Sequence, residues 1–498
     1  MALPSVNETV LDGQLATANF IAGQTPIIIG CSSTGTAATV KAYAGNQPAA
    51  IIADWGYGPM PQQAARLSSK GIAVAVCRTA STTAGAQTAV TFTGTGTSVV
   101  TTTGNSFDTY RVQFLVVTGG TIGVAGISFQ ISLDGGETFG AITRLGTANT
   151  YAIPNTGITL NFGAGTLVAA DLAKFSATEP KWAAGTDLLN ALTAASNSAI
   201  PWDFPHIVGS MNATESATLV TWLTGLETAK RFTRAIVETV RMASSALWSS
   251  ANDATWQAVL ISDWATQTSK RIMVCAGDVR WVSAVDGSVY LRPVGWLACE
   301  MASLFDNARY ELGRVKDDGH NTGALDASLY DPLGNAVGHN EVFFPGLYEP
   351  AISSIGFTVA RTYPQKGKAV YLSKAKLFSP ATSDFTTFRL GRVMDIACSA
   401  LNVFFVTEIQ ETPPVNPNGT ILTTYAEALE LQALSILNQQ LLAPGRAAGA
   451  TVSIHRNENL LSGTYKGIVN VDVRIQPTPT TDFVNLTLSF SATLPTQA

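Results

Sequence analysis

Two uninterrupted apolar runs, Pro26-Ile-Ile-Ile-Gly-Cys31 and Ile72-Ala-Val-Ala-Val-Cys77, have the length of strands buried on both faces, and Met60 to Ser69 between them reads as a helix. The alternation resumes downstream. Phe204 to Gly209 predicts a strand, Thr214 to Arg231 a helix and Arg234 to Val240 another strand. Within Asp253 to Ser269, Trp256, Val259, Leu260 and Trp264 recur at i, i+3, i+4 and i+8, the spacing of a helix with one apolar face, and the apolar Ile272 to Cys275 follows. Continuous apolar strands separated by helices imply a largely parallel sheet covered on both sides. This gives an α/β core over residues 23–90 and 178–345.

The pattern changes between the two halves of that core. From Ala89 to Thr178 the chain is dense in Gly and Thr, with alternating stretches at Tyr110 to Val117 and Ile127 to Leu133 and turns at Gly119-Gly120 and Gly135-Gly136. Residues 91–177 therefore read as an inserted all-β domain whose two ends lie close together on its host.

The last segment, residues 346–498, predicts an α+β domain. Phe388 to Phe405 places Leu390, Val393, Ile396, Ala397, Leu401 and Phe404 at the spacing of a core-facing helix, and Pro413-Pro414 to Gly419 ends it in a loop. Tyr425 to Leu442 predicts a second helix, stopped by Pro444-Gly445. The period then becomes two: Val469, Val471, Val473 and Ile475 alternate with polar residues, and after Pro477 to Asp482 so do Val484, Leu486, Leu488 and Phe490. The expected ending is a β-hairpin with one apolar face. No Lys follows Lys466 and no Pro interrupts either run, so the usual devices that blunt an exposed edge are missing. Either both strands complete a sheet in their own chain or the edge pairs with another copy.

Composition sharpens that choice. Only 13% of the 498 residues are charged and 46% are hydrophobic, so much of the surface is weakly ionic and suited to being covered by neighbours. The net charge of −5 argues against direct nucleic-acid binding. Val393 to Val406, the most apolar stretch, is broken by Asp395 and Asn402, so no membrane insertion is expected. Met1 to Thr9 lacks a basic start followed by an apolar block, and a secretory signal is not expected. Cys31, Cys77, Cys275, Cys299 and Cys398 are widely spaced, without Cys-x-x-Cys, and read as small buried hydrophobes in a reducing compartment.

A search for catalytic chemistry gives little. His206, His320, His339 and His455 show no metal-hydrolase spacing, and His339 with Glu341 reads as a solvated turn. Gln365-Lys-Gly-Lys368 lacks the glycine and hydroxyl of a phosphate loop, and Gly120, Gly123 and Gly126 have no helix after them. Ser132-x-Asp134-x-Gly136-x-Thr138-Phe139 resembles the Asp-box of sialidases, a hairpin-turn motif that occurs once here and carries no catalytic group; a glycosidase is the weakest of the functional alternatives. Arg361 to Lys368, continued by Lys374 and Lys376, holds five basic residues and no acid. It reads as a solvated face or as a contact for an acidic partner.

Several of these pieces resemble the tail sheath proteins of contractile bacteriophages and related injection systems. Thr25 to Gly30 and Gly71 to Arg78 are similar to the family's two N-terminal strands. Gly367-Lys-Ala-Val-Tyr-Leu-Ser-Lys-Ala-Lys-Leu377 is similar to its Gly-x-Gly-Val-x-x-Trp-Gly-Ala-Arg-Thr-Leu, with Ala369, Ser373 and Lys374 departing from it. Phe388 to Ile396 and the stretch from Val471 to Leu488 resemble the helix and closing hairpin that follow. The resemblance implies a structural subunit, not an enzyme, with no cofactor, in which residues 1–22 form an extended arm and the inserted domain faces outward. It also implies that the C-terminal domain faces an inner tail tube, with Lys366, Lys368, Lys374 and Lys376 as tube-contact candidates. Val471, Val473, Val484, Leu486, Leu488 and Phe490 would form a strand arm exchanged between subunits. The implied partners are other copies of the chain in a helical stack of six-fold rings, the tube protein, and baseplate and terminator proteins. The implied setting is a virion tail assembled in a host bacterial cytoplasm, where contraction drives the tube through the envelope. A non-contractile surface or appendage lattice is the competing class.

Overall fold

The computed structural model describes residues 23–136, 138–240, 250–316, 352, 355–362, 370–380, 382–482 and 484. The chain divides into two compact units between Ile409 and Gln410. It is a mixed α/β structure with several sheets.

The first unit opens with β1 (Pro26–Gly30), β2 (Val40–Tyr43), α1 (Pro48–Trp55), α2 (Pro59–Ser69) and β3 (Val74–Arg78). Both helices start on a proline, where the missing N–H is one the helix cannot use. Ten short strands follow: β4 (Thr91–Thr93), β5 (Val100–Thr103), β6 (Tyr110–Thr118), β7 (Gly120–Thr121), β8 (Ser128–Ser132), β9 (Thr143–Arg144), β10 (Thr150–Ile153), β11 (Ile158–Phe162), β12 (Thr166–Leu167) and β13 (Leu172–Ala177). The alternation then resumes with α3 (Leu189–Asn197), β14 (Phe204–Met211), α4 (Ala213–Thr228), β15 (Ala235–Thr239), α5 (Ser250–Trp264) and β16 (Ile272–Cys275). The unit continues through β17 (Asp278–Val282), β18 (Val289–Pro293), α6 (Val294–Leu304), β19 (Ala360–Thr362), β20 (Val370–Leu372) and α7 (Phe388–Phe405).

Six strands form one sheet in the order β16-β15-β14-β1-β3-β2, parallel throughout except for the edge strand β2. Alternate residues partition to opposite faces. Ile28, Val74, Val76, Phe204, Ile236 and Met273 pack with Trp55, Met60, Leu67 and Trp296. Ile27, Ile29, Ala75, Cys77, Val237 and Val274 pack with Leu192, Leu219, Leu223 and Trp264. Burial on both sides is why the strands read as unbroken apolar runs. Within β14 the register slips between Ile207 and Ser210, at Gly209 with φ 114°. A Cβ there would meet the Trp182 ring at 2.5 Å, so only glycine fits.

Among the described residues the strands β4 to β13 form sheets of five, three and two strands with one another, around a separate core that includes Tyr110, Phe114, Phe129 and Phe162. The chain entering and leaving this region is zipped together, Thr83 N–H donating to Lys181 O at 3.0 Å and Thr178 N–H to Ala86 O at 2.9 Å. The hairpin β17–β18 packs against it. The Tyr290 ring lies 5.8 Å from that of Tyr110, and the Arg292 guanidinium donates to both oxygens of buried Asp108 at 3.1 and 2.8 Å.

A second buried charge cluster joins α7 to the strand ends. Asp395 Oδ1 accepts from Arg234 Nη2 at 3.1 Å and Arg271 Nη1 at 2.8 Å, with Arg392 Nη1 at 3.7 Å from Oδ2. Arg271 also pairs with Glu227, and Arg234 donates to the Lys270 carbonyl. Burial pushes the Arg234 guanidinium down to about 10, with Asp395 opposing the shift. The cluster corrects the expectation of a core-facing apolar helix at 388–405. Val393 and Ala397 are buried, but so are Arg389, Arg392 and Asp395, whereas Leu390, Ile396, Leu401 and Phe404 are half-buried and Val403 is 71% exposed. The segment Phe388–Glu408 is long and apolar enough to cross a membrane by length and composition. Of its buried charges, Arg392 and Asp395 belong to the ion cluster and Arg389 lies among the charges near buried Glu311, which makes it a helix of the folded core.

The second unit contains α8 (Thr423–Leu437), ending in a π turn over Asn438–Leu442, then β21 (Ala447–Ile454) and β22 (Val471–Pro477). Ala426, Leu429, Ala433, Leu437 and Leu441 form its core with Ala447, Ile454 and Leu460. β22 pairs antiparallel with β21, Val473 opposite Val452 and Ile475 opposite Ala450, a strand the sequence reading did not expect; the second strand of the expected hairpin, Val484 to Phe490, lies outside the described residues except for Val484. Ala447-Ala-Gly-Ala-Thr451 has too little apolar contrast to announce a strand.

Removing the carboxylate at Asp395 takes the shared anion from three buried guanidinium groups and leaves Glu227 to pair with Arg271 alone. Asp395→Ala should lower unfolding free energy by about 3–5 kcal/mol, the range for breaking a buried pair from one side. Urea denaturation checks this; a loss under about 1 kcal/mol contradicts the role given to the cluster.

Candidate assembly surface

β22 presents Val471, Val473 and Ile475 on one face, each half-buried, with Asp472, Arg474 and Gln476 exposed on the other. Helix α8 lies against β21. The pair β21–β22 forms a two-stranded sheet, so among the described residues each strand has one edge without a ladder. The loop before β22 exposes Leu461, Tyr465, Ile468 and Val469, and Val484 beyond it is 81% exposed. Leu486, Leu488 and Phe490 lie outside the described residues, so the structure brings Val471 and Val473 onto one face and leaves the rest of the expected arm unaddressed. An apolar face, an open edge and few charges together suit addition of a strand.

Polar groups hold this hairpin in shape. Glu430 on α8 accepts from Ile454 N–H at 2.7 Å and from Arg456 Nη2 at 2.6 Å. The exposed imidazole of His455 bridges two carboxylates, Nδ1 to Glu458 Oε1 at 2.8 Å and Nε2 to Asp472 Oδ2 at 3.1 Å, linking the end of β21 to β22. The hydrogen bonds to Asp472 and Glu458 raise its pKa above the ordinary histidine value.

In the first unit, Val403, Val406 and Ile409 at the end of α7 expose more apolar surface. Lys374 and Lys376 follow β20 and are half-buried. Their segment is held by Thr358, whose hydroxyl donates to Lys374 O at 3.3 Å and accepts from Lys376 N–H at 3.2 Å. Lys374 is among the charges near buried Glu311, whose carboxyl burial nevertheless pushes above its ordinary range. Lys366 and Lys368 lie outside the described residues.

The other reactive groups are built into the core. His206 and Glu238 form a fully buried pair, Nε2 to Oε1 at 2.9 Å, and Glu238 Oε2 accepts from Gly209 N–H at 2.9 Å across the bulge. Burial pushes the Cys31 and Cys77 thiols up to about 12, and Cys398 differs from the expectation in being only half-buried, on α7. Among the described residues no three His, Cys, Asp or Glu side chains converge to hold a metal ion; His320 and His339 with Glu341 lie outside them. The sequence reading missed the His206–Glu238 pair, although a glutamate inside the apolar run Ala235-Ile-Val-Glu-Thr239 was a signal that something must pair with it.

No protein-family model matches the chain, and no curated protein sequence matches it. Solved structures do. The sheath complex of an extracellular contractile injection system, PVC, in its contracted state is similar to 99% of this chain over 98% of its own length, with TM-score 0.50 at 9% identity. The chain has a contractile-sheath fold. Sheath tail proteins from Desulfitobacterium hafniense (11% identity, 95% and 96% coverage, TM-score 0.46) and Listeria innocua (15%, 92% and 96%, 0.43) are also similar.

A raised His455 pKa has a fixed sign for stability. The charged imidazole holds the two carboxylates in the folded hairpin, so its stabilisation is fully present below the unfolded value near 6.5 and is lost as pH rises through the higher folded value. Asp472→Asn should move the His455 midpoint down toward 6.5 in an NMR titration. A midpoint that does not move refutes the bridge.

Proposed function

We propose that this chain is the structural subunit of a contractile sheath: copies polymerise as stacked rings around an inner tube and contract by rigid-body rearrangement, driving the tube through a bacterial envelope. The observation that carries the reading is a fold likeness running nearly end to end of both chains with a sheath in its contracted state. The low charge and the exposed apolar positions on α7 and around β22 support burial against further copies. The finer features are proposed on the sequence resemblance: a virion tail with six-fold rings, a tube contact including Lys366, Lys368, Lys374 and Lys376, baseplate and terminator partners, and genome delivery.

Strand donation supplies a link that survives rotation. If Val484 to Phe490 joins a sheet in a neighbour, each backbone hydrogen bond contributes roughly 0.5–1.5 kcal/mol net. Burying Val484, Leu486, Leu488 and Phe490 adds about 1.5–3 kcal/mol apiece. Rigid bodies tethered in this way can move from one helical lattice to another that buries more area, and no nucleotide is consumed.

Negative-stain microscopy of the purified chain should show hollow polymers of uniform diameter; flat sheets would favour a surface lattice, and monomers at every concentration would reject both readings. Deletion of residues 483–498 should give folded subunits that no longer polymerise. Unchanged assembly after that deletion rejects strand donation.

A further inference from the structure

We infer that the first unit carries a binding site for a neutral saccharide, in the cleft between the inserted β region and the β17–β18 hairpin. The cleft has a volume of about 460 Å³, and Thr138, Phe139, Tyr151, Asn155, Asp286 and Ser288 are among its lining residues. That volume falls within the roughly 300–1,000 Å³ of small-molecule sites.

The walls are built, not incidental. One wall is the Asp-box turn. Asp134 Oδ1 accepts from Thr138 N–H at 3.0 Å and its Oδ2 from the Thr138 hydroxyl at 2.7 Å, while Ser132 Oγ donates to Asp134 at 2.6 Å and accepts from Gly136 N–H at 2.8 Å. Gly135 and Gly136 take φ of 92° and 97°, which lets the chain reverse tightly enough to deliver Thr138 and Phe139 to the cleft. The second wall is β10, whose Tyr151 ring is braced edge-on by Phe129 at 4.9 Å. The third is the hairpin tip. There Asp286 accepts from Ser288 N–H at 3.0 Å and from the Tyr290 hydroxyl at 2.9 Å, so its carboxylate is fixed at the rim.

The chemistry of the lining selects the ligand class. Two half-buried rings offer apolar faces, and the Tyr151 hydroxyl and Asn155 amide are engaged by no other described residue. They leave donors and acceptors for a ligand with several hydroxyls. Among the described lining residues there is no lysine or arginine, and the Asp286 carboxylate disfavours an anion. Apolar faces beside a ring of hydroxyls describe a pyranose. The role proposed is binding: glycoside cleavage needs a pair of carboxyl groups, and among the described lining residues Asp286 supplies one.

Saturation-transfer NMR on the full chain tests this, with the methyl pyranosides of glucose, galactose and mannose, N-acetylglucosamine, and the anionic N-acetylneuraminic acid as probes. At least one neutral sugar should receive saturation and the anionic one should not. Tyr151→Ala should abolish the transfer, and Asp286→Asn should weaken binding about tenfold, as loss of a charge-assisted hydrogen bond does. Ala141→Trp, at an exposed lining position, fills the cleft without touching the core and should abolish binding with an unchanged melting temperature. Silence from every neutral sugar, preference for the anionic one, or undiminished binding by a folded Ala141→Trp protein overturns the proposal. None of these outcomes depends on whether the chain polymerises.

Discussion

A sheet buried on both faces has no polar side to spare, so whatever else attaches to it must do so at its ends, where backbone and charge emerge. Here the attachment is ionic. Asp395 draws Arg234, Arg271 and Arg392 into one buried cluster and so fixes α7 against the ends of β15 and β16. Arg292 grips Asp108 in the same manner and fixes the β17–β18 hairpin against the inserted region. An apolar contact at these places would tolerate sliding, whereas a bidentate guanidinium–carboxylate pair in a dry environment has one geometry. The cost of desolvating four ionised groups around Asp395 makes the cluster a poor source of net stability but a strong source of orientation.

Much of this fold was legible because burial on two faces writes itself into sequence as apolar runs. The strands β1, β3, β14, β15 and β16 all stood out in that way, and α7 began and ended where its spacing placed it. What escaped were elements whose burial has another origin. Helix α6, Val294–Leu304, is buried all round, so it has no polar face to mark a helical period. Arg234, Arg271 and Asp395 carry no local signal of their meeting, since Asp395 lies more than a hundred positions from either arginine. Strand β21 was hidden by its alanines and glycine, and with it the pairing that β22 makes among the described residues.

The candidate surfaces divide along the same line. The apolar face of β22 was visible as strict alternation, because one covered and one wet side impose period two. The saccharide cleft was half visible: the Asp-box announced a turn at Ser132 to Phe139, but a turn becomes a wall only when β10 and the hairpin tip are brought opposite it. Period and motif report local geometry. Convergence of distant segments is a property of topology, and only the three-dimensional arrangement holds it.

On the proposed reading, rigidity in the first unit and incompleteness in the C-terminal strands have complementary work. A lattice that rearranges as rigid bodies needs subunits that do not deform under load, which ionic clamps at the sheet ends provide, since breaking one strands a charge in a dry interior. It also needs links between subunits that tolerate rotation, which a row of backbone hydrogen bonds on a short tether provides and a broad rigid interface does not. The sparse charge of the surface follows from the same requirement. Two different lattices must both be favourable, and apolar, non-directional contacts can be remade in a second arrangement where paired charges would hold the first in register.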